Sequence, residues 1–149
     1  MRVFQVEGDW GMEHLKLSQR PEPQAGPGQV LVRNAFLSVE PAMRGWVSAV
    51  ANYSEPVAVG AVMRSFAAGR IVESNAPDWP VGTPVTGLLG WQDYAVADPA
   101  DGLRRIEEAD LPLSTALGVL GMNGVTAHYG LLHIGQPRAG ETVVVSTAA

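Results

Sequence analysis

The chain alternates short apolar and polar stretches through its first hundred residues, then becomes more continuously apolar. Arg2 to Glu7 alternates in character and predicts a first strand. Leu15-Lys16-Leu17-Ser18 predicts a second, stopped by Pro21 and Pro23. Ala25-Gly26-Pro27-Gly28 is a turn. Gln29 to Val39 carries the strongest strand pattern. It puts Val30, Val32 and Asn34 on one face and Leu31, Arg33 and Ala35 on the other. Pro41 suits the first turn of a short helix over Ala42 to Ser48. Val50 to Val59 has no period and reads as a loop. Gly69 to Ser74 is a strand, Pro77 to Pro84 a turn, and Val85 to Leu88 another strand. Trp91 to Val96 alternates as an amphipathic strand should. Five or more strands without long helices between them predict an antiparallel barrel.

The pattern changes after Asp110. Ser114 to Leu120 is rich in Leu and Ala and reads as a helix. Asn123 suits the N-cap of a second helix, Gly124 to Leu132, which Gly135 would end. Gly140 to Ser146 contains Thr142-Val143-Val144-Val145. A β-branched run this apolar predicts a strand buried on both faces, as in a parallel α/β sheet. Such a strand needs neighbours, so the chain reads as stopping inside an architecture, unless this strand pairs differently.

Composition narrows the chemistry. The 149 residues suffice for a domain with a core, and 46% hydrophobic with 17% charged residues fits a folded chain rather than a disordered one. The net charge is -5 and no stretch is dense in Lys or Arg, which argues against nucleic acid as a partner. The doublet Arg104-Arg105 is offset by Glu107-Glu108 and reads as a solvated turn. With no cysteine, a disulfide scaffold, a thiolate zinc site and a cysteine nucleophile are all excluded. His14, His128 and His133 have no ligand spacing with a nearby carboxylate, so no metal site is expected. No apolar run approaches the roughly 20 residues of a membrane helix. The N-terminus lacks the apolar core of a signal peptide, and a cytoplasmic location is expected.

Several ordered blocks then resemble one family. Val39-Glu40-Pro41-Ala42-Met43-Arg44-Gly45 resembles the Asp-Pro-Tyr-Met-Arg-Gly segment of the leukotriene B4 dehydrogenase / prostaglandin reductase family, which also holds plant double-bond reductases and bacterial curcumin reductases. Gly69 to Ser74 with Pro77 to Gly82, Leu89 to Val96, Leu111 to Ala127 and Gly140 to Ser146 are similar to further blocks of it, in order. The chain is thereby identified as a member of the zinc-independent medium-chain dehydrogenases/reductases. The resemblance implies a mainly β fold with a few helices: a GroES-like barrel over residues 1–121, then over 122–149 a helix and the first strand of a truncated Rossmann domain. It further implies NADPH as cofactor and hydride transfer to the β-carbon of an enone or enal, without metal. The fragment itself is expected to be inactive. Two other readings stay open: a non-catalytic barrel module for partner binding or self-assembly, and a quinone reductase of the same superfamily. An exposed strand over Thr142 to Ser146 would favour a homodimer.

By the same resemblance Met122 and Thr126 stand where the family contacts the nicotinamide end of the cofactor. From spacing alone, Met122 equally fills core and Thr126 bonds back to its own helix. Asn123 replaces a family Thr; it fits a cap, and a cofactor contact is compatible. His128 replaces a family Tyr and is a candidate proton donor or a surface histidine. Arg44 follows the Glu40-Pro41 turn, in a short helix that in the family borders the substrate cleft; there it would face cofactor or substrate, or pair with Glu40 at i, i+4 spacing. Ala42 stands where the family often has Tyr. Tyr53 is a candidate wall of the substrate pocket or a loop tyrosine. Trp46 and Trp91 read as packing residues. No catalytic residue is assigned.

Overall fold

Val30, Leu31 and Val32 are buried in succession, so the strand they open must be covered on both faces. That strand, β3 (Val30–Leu37), organises the computed structural model, which describes residues 1–7, 15–48 and 54–146. The hairpin strands β1 (Arg2–Val6) and β2 (Leu15–Gln19) precede it, and α1 (Ala42–Trp46) follows it. The other strands are β4 (Ala67–Ser74), β5 (Pro84–Gly87), β6 (Tyr94–Ala97) and β7 (Arg104–Arg105). β3 lies antiparallel between β4 and β6, with Val32 opposite Ile71 on one side and Ala95 on the other. β5 pairs with β4 and β7 with β5, giving one sheet in the order β6-β3-β4-β5-β7.

The β3–β4 ladder shifts register between Asn34 and Phe36. Gly69 faces that irregularity, and a Cβ there would stand 2.1 Å from the Arg33 carbonyl oxygen, so only glycine admits the close approach. β1 closes the other side of the barrel. Phe4 donates its N–H to the Trp91 carbonyl (2.9 Å), and Met63 donates to the Phe4 carbonyl (2.8 Å).

Two apolar clusters fill the interior. Val30, Val32, Ile71, Val85, Leu89 and Leu103 pack inside the five-stranded sheet. Val6, Met43, Trp46, Val47, Val57 and Met63 pack beneath α1, with Trp91 against them. Trp46 and Trp91 therefore do serve packing. No described helix is long and apolar enough to cross a membrane.

The mainly β class holds, and five expectations need correction. β6 begins at Tyr94 rather than Trp91, because residues 91–93 bend away to bond β1; Asp93 donates its N–H to the Arg2 carbonyl at 3.0 Å. The helix expected over Ser114 to Leu120 is a 3-10 turn at Leu113–Leu117, which Gly118 ends with non-helical angles (φ -119, ψ -108). The next helix, α2, spans Met122–His128 behind an extended Gly121, so Asn123 lies inside its first turn and does not cap it. Tyr129–Gly135 continues as a π-helix rather than α, with Gly135 its last residue, as expected, and left-handed Gln136 behind it. Finally, residues 141–146 form no strand and are exposed. A parallel strand is stabilised by neighbours on both edges and both faces, and no described residue pairs with this run.

Ile71 is 1% exposed in the sheet core, whereas Val72 next to it is 39% exposed. Ile71→Ala is expected to lower stability by about 2–5 kcal/mol and Val72→Ala by under about 1 kcal/mol, read from urea unfolding.

The Arg2 side chain makes three contacts with the two oxygens of Asp93 (3.0–3.2 Å), and the Arg2 backbone N–H adds a fourth at 2.6 Å. These hydrogen bonds hold the Asp93 carboxyl below the usual carboxylate range. A depressed folded-state pKa contributes stability above the unfolded aspartate value and loses it as pH falls through the folded one. Asp93→Ala should therefore melt slightly lower than wild type at pH 7, and the gap should close in acid. A gap that persists unchanged at pH 2 would contradict this.

Candidate functional site

The last turn of β3 delivers the polar side of the site. Past Leu37, Ser38 is buried at 8% exposure and its backbone N–H donates to the Phe66 carbonyl at 2.9 Å. Its carbonyl accepts two further bonds, from Trp91 Nε1 (2.9 Å) and from the fully buried Ser65 Oγ (2.8 Å). With its backbone fixed on both sides, Ser38 aims its hydroxyl outward and donates to Glu40 Oε1 at 2.6 Å. The Glu40 N–H meets the Met43 sulfur at 3.4 Å, which ties the same residue to the start of α1. Glu40 is half-buried and sits on the wall of a cleft of about 390 Å³.

The opposite wall comes from the segment after the barrel. Ala116, Leu117, Leu120, Gly121, Met122 and Val125 line it, while Phe66, Thr86 and Leu88 form the barrel side. Asp101, in the turn before β7, and Arg104, the first residue of β7, stand at the cleft. Three smaller concavities, of about 160, 240 and 320 Å³, lie elsewhere on the barrel. The large cleft is mainly apolar with a few charged groups, the usual make-up of a small-molecule site.

Two glycines bring α2 against the 3-10 turn. A Cβ on Gly121 would stand 2.4 Å from the Ala116 carbonyl oxygen, and one on Gly124 would stand 1.7 Å from that of Val119. Neither position has room for a side chain, and the close approach sets where Met122 and Val125 face.

Of the residues singled out in the sequence, Met122 reaches the cleft, exposed at 60%. Asn123 and Thr126 are not on its walls. The Thr126 hydroxyl donates to the Met122 carbonyl at 2.8 Å, the back-bond expected of a helical threonine. Arg44 is exposed and not on the cleft walls. Among the described residues it makes no ion pair with Glu40, whose carboxylate accepts from Ser38 instead. Tyr53 lies outside the described residues. His128 faces Tyr129 and His133, with ring centroids 5.9 and 5.8 Å away, rather than the cleft. Among the described residues no group of three His, Cys, Asp or Glu could hold a metal ion. The sequence reading missed Glu40 as a cleft residue. The usable signal was a serine two residues before it at the end of a buried strand, which a helical i, i+4 pairing obscured.

The family described as the N-terminal domain of oxidoreductase matches residues 3–106. The NADPH-dependent curcumin reductase of Escherichia coli (strain K12) is 46% identical over 136 residues, covering 91% of this chain and 39% of that protein. The 2-alkenal reductase (NADP(+)-dependent) of Nicotiana tabacum is 36% identical over 148 residues, covering 98% of this chain and 42% of that protein. The crystal structure of CurA in complex with NADPH from Vibrio vulnificus superposes with a TM-score of 0.82 at 35% identity, covering 95% of this chain and 43% of that one. The chain thus spans about two fifths of the length of the relatives it matches.

Gly124→Ala is expected to push α2 off the 3-10 turn and cost about 1–3 kcal/mol, whereas Gly130→Ala, with nothing within 4 Å of the added Cβ, should be neutral or mildly stabilising. Paired thermal melts read the difference.

Proposed function

The chain belongs to this oxidoreductase family, within the medium-chain dehydrogenases/reductases that include curcumin and alkenal reductases, and from that premise we propose that it is the substrate-side part of an NADPH-dependent reductase of activated carbon–carbon double bonds. The observation that carries the reading is the mainly apolar cleft between the barrel and α2, with Met122 on its wall. The names of the relatives, a curcumin reductase and a 2-alkenal reductase, support an enone or enal as the acceptor. The complex of CurA with NADPH supports the cofactor.

The residues present fit the nicotinamide end of such a cofactor. Met122 and Val125 offer an exposed apolar surface to a flat ring, and the Thr126 hydroxyl keeps its lone pairs free after donating to Met122. Asn123 stands in the same turn of α2, on the side away from the cleft walls. In this reading the bound cofactor supplies the hydride, and the chain's own groups supply orientation and a dry surface. Leu117, Leu120, Phe66 and Leu88 exclude water from the reacting double bond, which strengthens every polar contact made there. We read residues 1–121 as the barrel domain and 122–149 as the opening of the nucleotide-binding domain. Arg44, on α1, and Tyr53 remain candidates for substrate contact. A cysteine-free chain has no thiolate to hold zinc, which supports a zinc-independent reaction, and the acidic, cysteine-free composition supports the cytoplasm.

A second reading rests on one observation. Val143, Val144 and Val145 are 50%, 85% and 73% exposed in an unpaired β-branched run, which favours pairing with a second copy as a homodimer. Native mass measurement checks it, and a strictly monomeric species would count against it.

The reductase reading is tested by joining this chain in frame to the remainder of the Escherichia coli curcumin reductase. Enone-dependent NADPH oxidation is expected, and Met122→Ala should raise the KM for NADPH by roughly three- to tenfold, with kcat changing less. An inactive chimera beside an active parent would overturn it.

A further inference from the structure

Among the described residues of the cleft, Glu40 is an acidic group whose carboxylate the fold holds by a hydrogen bond. Ser38 Oγ holds its Oε1 at 2.6 Å, and Ser38 is itself fixed through its carbonyl by Trp91 Nε1 and Ser65 Oγ. Ser65 is 0% exposed and Ser38 8%, so the network is set in the interior and not on the surface. Only one oxygen of the carboxylate is engaged in this way. The second has no hydrogen-bond partner among the described residues, and Glu40 lines a cleft together with the apolar Phe66, Leu117, Leu120 and Met122 and the charged Asp101 and Arg104. No side-chain cap uses it either, since α1 starts without one. A half-buried carboxylate held by one serine hydroxyl, whose own backbone is fixed by a second serine and an indole, is a built acceptor.

We propose that Glu40 is a specificity-determining residue: its free oxygen accepts a hydrogen bond from a hydroxyl carried by the ligand in this cleft, and its charge disfavours a ligand with a carboxylate at that end. The inference rests on the reductase reading only for the identity of the ligand as an enone. The acceptor geometry stands without it. A hydroxyl bonded to a carboxylate makes one of the stronger neutral–ion hydrogen bonds, and an apolar surround raises its weight. A ligand carboxylate would lose its water and meet a like charge. Asp101 adds to that repulsion, and Arg104 at the same cleft opposes it. Ser38, Ser65 and Trp91 act as positioning residues, because they reach the ligand only through Glu40.

The test needs no turnover. The 149-residue chain is titrated with three matched aryl enones, 4-phenylbut-3-en-2-one and its para-hydroxy and para-carboxy derivatives, with binding followed by ligand-observed NMR. Wild type should prefer the hydroxy compound over the parent by about tenfold and bind the carboxy compound more weakly than either. Glu40→Leu should abolish the hydroxyl preference, and Glu40→Gln should remove most of the discrimination against the carboxy compound. Ser38→Ala should weaken the hydroxyl preference while leaving the parent's affinity unchanged, which a merely structural serine would not do. Circular dichroism of each variant confirms the fold. An unchanged rank order in Glu40→Leu, or no binding of any of the three, overturns the proposal. So does an effect of the Glu40 variants on NADPH affinity alone, which would place the carboxylate against the nicotinamide amide. The chimera assay reads out the reductase function separately, so an inactive chimera with intact hydroxyl preference sinks that function and not this site.

Discussion

A strand whose first three side chains are all buried cannot sit at an edge or on a surface. Val30, Leu31 and Val32 impose that condition, and the ladder between β3 and β4 is how the chain meets it. β4 in turn has Ala67, Ala68, Gly69 and Ile71 buried, so each strand supplies the cover the other needs. The remaining strands take their places from this pair: β6 on the free edge of β3, β5 on the free edge of β4, and β7 beyond it. The small residues of β4 are part of the condition. At Gly69 any side chain would strike the Arg33 carbonyl, and the ladder would have to open where it now shifts register.

The same ladder explains why the polar side of the cleft is rigid. Its last bonds run through Leu37 and Ala67, and the chain continues to Ser38, whose N–H still bonds the Phe66 carbonyl. Ser38 and Ser65 thus face each other as an extension of the sheet by one more step. Trp91 closes the arrangement from the third strand approach, where residues 91–93 leave β6 to bond β1. That departure shortens β6 and releases the indole N–H toward Ser38. A carboxylate two residues past buried Ser38, and bonded to it, then has little freedom.

The strands were legible because each is short, alternates where one face is solvated and is bounded by proline or glycine. β1, β2, β3, β4 and β5 all fall within a residue or two of their expected limits. β6 was read too long because Trp91-Gln92-Asp93 alternates as well as a strand does; its bonds to β1 are long-range and leave no local mark. Asn123 has the right side chain for a cap, but the tight fit of Gly121 and Gly124 against the 3-10 turn fixes the helix start two residues earlier. At the cleft, Met122 was reachable from the family pattern. Glu40 was noticed only as a partner for Arg44, since its true partner depends on where Trp91 and Ser65 arrive in space.

The segment after Leu120 shows the opposite balance between pattern and structure. Ile134 is 83% exposed and Val144 85%, in sequences that elsewhere would mark a core. Hydrophobicity states that such residues gain by burial but not against what, and a parallel strand or an α/β helix has no stable form without its neighbours. Residues 129–135 wind as a π-helix, and residues 141–146 form no strand and pair with no described residue, although their composition favours a strand. Contacts hold α2 where the apolar pattern alone would not. Gly121 and Gly124 let its first turn press on the carbonyls of Ala116 and Val119, and the 3-10 turn in its turn lies on β3, β4 and β5. The cleft wall that carries Met122 is therefore positioned by backbone proximity, while the wall that carries Glu40 is positioned by hydrogen bonds from the sheet.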